Sequence, residues 1–162
     1  MYLCNASALS LGLLLAYCKC YDNFMNRNKK KYRSHCPINF AQETFGDKWS
    51  LLIIRDLMFK GKKYYGEFLN SDEKISTNIL ADRLEKLEAN GLITKAIDKE
   101  NNSKKLYALT AKGVDLMPML LEMIVWSAKY DNKTGTPAEF IKRLKKDKDS
   151  LIQELVASLG DY

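Results

Sequence analysis

One histidine, three prolines and no cysteine beyond position 36 mark what this 162-residue chain does without. The cysteines are Cys4, Cys18, Cys20 and Cys36. A structural zinc site takes four thiolate or imidazole ligands at short recurring spacings, which "CKC", two distant cysteines and His35 do not supply. A disulfide framework is also out of place in a chain long enough to bury a core without staples. His35 is the lone imidazole, and there is no glycine-rich phosphate loop and no paired nucleophile and base. The sequence therefore carries neither the apparatus of an enzyme nor a cofactor motif. A membrane-spanning helix needs ~20 apolar residues, whereas the best candidate, "ALSLGLLLAY" at Ala8 to Tyr17, has ten. Its flanks lack the basic front of a signal peptide, and Tyr17 stands where a lipoprotein cleavage signal needs a small residue. Met25 sits just ahead of the basic "NRNKKKYRSH", so we read translation as starting there, with residues 1–24 upstream of a cytoplasmic protein.

What is there suits a folded domain. Apolar residues make up 46% of the chain, enough for a sizeable core. The net charge is +6, but residues 1–35 carry six basic and one acidic side chain, residues 36–98 nine and ten, and residues 99–162 eleven and nine. The excess sits mainly in the leader, so bulk charge says little about a nucleic-acid partner and local clusters must carry that case. We expect a leader over 1–35, a main domain over 36–130 and a linker plus amphipathic helix over 131–162.

Periodicity then divides the main domain. "INFAQETFGDKWSLLIIRDLMFKG" reads as two helices broken near Gly46, the second with a wide apolar face. A short helix follows in "YYGEFLNSDEKI", with Phe68 and Leu69 inward. Ser76 resembles an N-cap before "TNILADRLEKLEAN", and Gly91 a C-terminal stop. Ile79, Leu80, Leu84 and Leu87 form one stripe of that helix, while Asn78, Asp82 and Glu85 face away, flanked by Thr77 and Lys86. "LITKAI" and "KLYALT" read as strands around "DKENNS", where Asn101, Asn102 and Ser103 suit a turn. Thr110 caps the next helix, and Pro118 either kinks it or marks its real start. Thr136, Pro137 and Glu139 predict the N-cap, first and third positions of a final helix over 137–159, whose apolar stripe Lys148 interrupts.

The expected fold class is mainly α with a small β-hairpin wing, a winged helix-turn-helix dimerised through its terminal helices. Such a layout suits duplex DNA: the major groove admits one α-helix, whose first turn reaches base edges while the hairpin tip touches the backbone. Ser76, Thr77 and Asn78 can approach bases closely, and Asn pairs bidentately with adenine. Lys99, Lys104 and Lys105, with Asn101 and Asn102, form a wing tip suited to phosphate contact. Tyr64, Tyr65, Lys74, Asp82, Arg83 and Lys86 complete the candidate DNA-binding set. The tyrosines can equally pack, and Ser76 can be only a cap.

The chain resembles the HxlR-type regulators, within the wider MarR-like winged-helix group. The matching segments are "CPI" at Cys36, "GDKWSLLIIRDL" at Gly46, "YYGEF" at Tyr64, "ISTNILADRLEKLEANGLI" at Ile75 and the spaced Tyr107, Leu109, Thr110, Lys112, Gly113, Leu116, Pro118, Leu120, Met123 and Trp126. The resemblance covers roughly residues 36–127. It implies a homodimeric, sequence-specific transcription factor, commonly one that responds to a chemical signal. The position of Cys36 is a redox- or electrophile-sensing thiol in some members, and Lys31, Arg33 and His35 would favour its thiolate; the other reading is a small buried hydrophobe. Two departures stand out: many relatives carry basic residues where Asn78 and Glu85 stand, and residues 134–162 reach beyond the usual core.

Trp49 and Trp126 are read as core. "DLMPMLLEMIVW" is too apolar to face water, so the core and a second subunit are expected to cover it, with helices 38–45, 110–127 and 137–159 assembling a homodimer on a palindromic site. A rival reading is a winged-helix module that binds protein without nucleic acid; an enzyme is a second rival, set aside above.

Overall fold

Helix α1 (Pro37–Phe45) ends in buried Thr44 and Phe45, and the turn after it is held by Asp47. The Asp47 carboxylate accepts from the Trp49 and Ser50 amides at 2.9 and 3.0 Å and from the Ser50 hydroxyl. Those amides are orphan donors at the start of helix α2 (Ser50–Phe59), so Asp47 does the work of a cap. This computed structural model describes residues 32–159, and the leader with its apolar run and Met25 lies outside the described residues. The chain separates into two units, residues 1–40 and 41–162, and the architecture below concerns the second. No described helix is long and apolar enough to cross a membrane.

Helix α2 buries Ile53, Ile54, Leu57 and Met58 and, unusually, Asp56 at 2% exposure. A buried carboxylate is costly unless paired. Asp56 is met by Lys62 at 2.7 Å, by the Ser71 hydroxyl at 2.6 Å and by the Arg55 guanidinium. Burial works against its charge, yet these donors outweigh it and hold the carboxyl below its usual range. Arg55 also grips Glu73, pulling that carboxyl down to about 2. The network therefore bolts α2 to the turn that leads into the next long helix.

That turn follows the short helix α3 (Tyr65–Leu69), where Phe68 is buried and Leu69 partly so, as expected. Lys74 adopts a left-handed backbone (φ +53°), a conformation that costs an L-residue roughly 1–2 kcal/mol. Helix α4 (Thr77–Ala89) then begins with Ser76 in the extended N-cap conformation, but the Ser76 side chain makes no cap hydrogen bond, contrary to the capping reading. At the other end Gly91 (φ +69°) donates to Glu88 O and Leu92 donates to Leu87 O, a Schellman stop only a glycine forms cheaply. Leu80, Leu84 and Leu87 are buried, but Ile79 is 38% exposed. At 100° per residue Ile79 sits a quarter-turn from Leu80, so it falls off the edge of the stripe.

Strands β1 (Ile93–Ile97) and β2 (Lys105–Leu109) pair antiparallel with Lys95 opposite Tyr107, and Tyr64 adds a single bridge to Leu106. Thr110 closes the base of this hairpin: its hydroxyl donates to Gly91 O at 2.7 Å and accepts from the Gly113 amide at 3.1 Å. Helix α5 (Ala111–Val114) is therefore only a capped turn, and Pro118 marks the start of helix α6 (Met117–Tyr130).

Three readings need correction at the C-terminal end. The final helix is two, α7 (Ala138–Lys146) and α8 (Lys148–Ser158), because Asp147 leaves helical geometry and its carboxylate caps α8 through the Ser150 amide. Pro137, not Thr136, holds the N-cap position of α7, its ψ of 136° being extended and not helical. Trp126 is 65% exposed instead of buried, while Trp49 packs partly against the core. Met123, Trp126 and Tyr130 lie on one exposed stripe of α6, since the opposite face already meets the core through Leu120 and Leu121.

Candidate nucleic-acid interface

The front of α4 is a small polar edge. Ser76, Thr77 and Asn78 are all exposed, and the side chains of Ser76 and Asn78 make no described hydrogen bond. Tyr65 steadies this edge from behind, its hydroxyl donating to the Thr77 carbonyl at 2.7 Å. The sequence left open whether the two tyrosines pack or contact a partner; both are half-buried with engaged hydroxyls. That of Tyr64 donates to Asp98 at 2.6 Å, which raises the phenol's pKa and lowers that of the carboxyl.

The cations of α4 do not project freely. Arg83 lies 3.1 Å and Lys86 3.7 Å from the carboxylate of Asp47, and Arg83 also pairs with the exposed Asp82 at 2.9 Å. Burial opposes the charge on Asp47, yet the Ser50 hydroxyl, the Trp49 and Ser50 amides and Arg83 together keep its carboxyl below the usual range. Asp47 was absent from the expected site. An aspartate just ahead of an apolar helix is a visible cap signal, but its partners 36 and 39 residues downstream are not.

On the wing, Lys99, Asn101, Asn102, Lys104 and Lys105 are all exposed. The tip is pre-shaped: Asn101 Oδ1 accepts from the Ser103 amide and hydroxyl, Asp98 Oδ1 accepts from the Glu100 amide, and Lys104 lies over the Tyr64 ring at 5.4 Å. Tyr64, Tyr65, Lys104 and Lys105 line one groove together with Ala81 and Glu85 of α4, so wing and helix flank a common surface. Lys74 is exposed in the turn before α4. Cys36 belongs to the other unit; it is exposed, which overturns the buried-hydrophobe reading. Among the described residues no cluster of His, Cys, Asp and Glu could hold a metal.

A short helix, a tight turn, a second helix with a polar front and a β-hairpin beside it make a winged helix-turn-helix. The family model for HxlR-like helix-turn-helix proteins matches residues 44–134. The chain belongs to this family. Among its HxlR-like relatives is an HTH-type transcriptional regulator of Synechocystis, 36% identical over 88 residues that span 54% of this chain and 64% of that protein. The HTH-type transcriptional regulator YodB of Bacillus subtilis is 33% identical over 105 residues, 64% of this chain and 93% of YodB. Among solved structures, the redox regulator HypR in its oxidised form superposes with a TM-score of 0.52 at 30% identity, covering 58% of this chain and 96% of HypR. The family match ends before α7 and α8.

Proposed function

We propose that this HxlR-like protein is a transcriptional regulator that binds specific sequences in double-stranded DNA in the cytoplasm. The observation that carries the reading is the exposed edge Ser76–Asn78 at the start of α4, with side-chain donors and acceptors unspent. Small polar side chains in a first helical turn are what major-groove readout requires. Lys74, Lys99, Lys104 and Lys105 supply the phosphate contacts that set register and affinity. Arg83 and Lys86, tied to Asp47, orient α4 rather than reach the backbone, and Asp82 limits approach by phosphate.

The working unit is a homodimer built through α6. Its exposed Met123, Trp126 and Tyr130 make an apolar stripe at helical spacing of the kind that a second copy covers. A two-fold pair would set the two α4 helices about 34 Å apart, one turn of duplex, on a palindromic site. Exposed Cys36, taken with a redox regulator among the similar structures, supports a thiol-linked chemical signal.

Selection of bound duplexes from a random library, followed by titration of the selected site at several salt concentrations, tests the reading. A palindromic consensus and an affinity falling steeply with salt are expected, the slope dropping by about 0.9 for each phosphate-contacting lysine removed. Enrichment of no sequence, or binding indifferent to salt, favours the protein-binding winged helix instead.

A further inference from the structure

Among the described residues, Lys74 is the one non-glycine on a left-handed backbone, at φ +53° in the turn between α3 and α4. The other two positive-φ residues, Gly61 and Gly91, lack the Cβ that makes this conformation unfavourable. Such strain persists only where the surroundings over-determine the chain path. Here they do so on both sides. Ahead of Lys74, the Ser71 hydroxyl donates to Asp56 at 2.6 Å, and Arg55 grips both carboxylate oxygens of Glu73. After it, Ile75 is buried and the Thr77 carbonyl accepts from Tyr65. The Lys74 amide itself closes the turn by donating to Ser71 O at 2.9 Å. A glycine here would relieve the strain at the loss of one ammonium group.

The neighbouring charges set that ammonium apart. Glu73 is paired with Arg55, Lys62 is held by Asp56, and Lys60 lies 3.7 Å from Asp72. Of these four cations only Lys74 makes no described ion pair, and it is exposed two residues before the edge Ser76–Asn78 begins. A lysine on a loose loop offers its charge to whichever phosphate is nearest. One on a clamped turn offers it from a backbone fixed relative to the edge, so less order is lost on binding. We propose that Lys74 is a specificity-determining residue: its ammonium takes one particular phosphate of the operator and so sets the register in which Ser76–Asn78 meet the bases.

This role rests on the regulator reading above and makes the phosphate contacts unequal. The wing lysines, Lys99, Lys104 and Lys105, supply affinity, whereas Lys74 ties one point of the duplex to the start of α4. A strained backbone retained for this purpose leaves a signature that a merely structural lysine would not: stability and DNA affinity move in opposite directions when the strain is removed.

Neutral methylphosphonate linkages, placed one at a time through the selected operator, test the contact in full-length wild type, Lys74→Ala and Lys74→Gly. Both variants should bind the unmodified operator roughly five- to ten-fold more weakly at about 0.1 M salt, the scale of one phosphate contact. One linkage per half-site should weaken wild type by a similar factor and leave both variants indifferent. In urea, Lys74→Gly should raise the unfolding midpoint above wild type, while Lys74→Ala, which keeps a Cβ, should not. Variants that retain every wild-type linkage sensitivity, or that bind the operator as tightly as wild type, overturn the proposal. A Lys74→Gly midpoint at or below wild type overturns it too, since the strain is then not there to be retained. In these outcomes the wild type still binds its operator and the regulator reading stands; a wild-type chain that takes no duplex overturns that reading and this role with it.

Discussion

The hydroxyl of Tyr65 donates to the carbonyl oxygen of Thr77 at 2.7 Å, fastening α3 to the first turn of α4. The bond adds a tie from outside the helix to the backbone that carries the polar edge. Tyr65→Phe should cost about 1 kcal/mol of stability and reduce specific duplex affinity several-fold more than nonspecific affinity. Urea unfolding and paired titrations on specific and scrambled duplexes measure the two. Equal loss on both duplexes would mean that Tyr65 does not orient the reading edge.

Asn78 is exposed and makes no described hydrogen bond, so Asn78→Ala should leave the unfolding midpoint within experimental error. If its amide reads an adenine, the variant loses about 1–3 kcal/mol of discrimination at that base pair. Binding to a library of single-base operator variants locates the loss; an unaltered preference profile removes Asn78 from the reading set.

Acid should loosen the turn before α4. Glu73 and Asp56 both have depressed pKa values in the fold, Glu73 at about 2. A depressed carboxyl stabilises the fold above its unfolded pKa, and that contribution fades as pH falls toward the folded value. The window for Glu73 thus runs from about pH 4.5 down to about pH 2. Asp56→Asn should cost about 3 kcal/mol at neutral pH, because Lys62 and Arg55 lose their buried partner. It should also flatten the acid decline. Urea midpoints from pH 7 to pH 2 provide the check, and parallel curves for the two proteins would contradict it.

Trp126, 65% exposed between Met123 and Tyr130, is the centre of the proposed subunit contact. Trp126→Ala should shift sedimentation toward monomer and weaken operator binding while leaving the monomer fold intact, since the side chain supports little of its own core. An unchanged sedimentation profile places the dimer contact elsewhere.

Cys36→Ser should keep operator affinity under reducing conditions and abolish release of DNA by peroxide or by an electrophile. Release that persists in the variant eliminates this thiol as the sensor.

The helices, the hairpin and the polar front of α4 were legible from the sequence because each rests on local rules. Apolar spacing gives the buried faces of α2 and α4, Gly91 the left-handed stop, and Asn101 with Ser103 the tip of the wing. Misreadings arose where a local rule gives no sign. Ile79 and Trp126 are apolar, and hydrophobicity alone does not say whether the helix face beneath them is already covered. The break at Asp147 was hidden because apolar residues on both sides continue a plausible phase. Long-range ion pairs, such as Asp47 with Arg83 or Arg55 with Glu73, have no periodicity to reveal them.

Asp47 also gives α4 an electrostatic character of its own. Holding Arg83 and Lys86 near its carboxylate draws two positive charges of the helix toward the body of the domain. On the proposed reading, adhesion falls to the hairpin and discrimination to three short side chains. A protein built this way would scan a chromosome on its wing and be stopped by its helix.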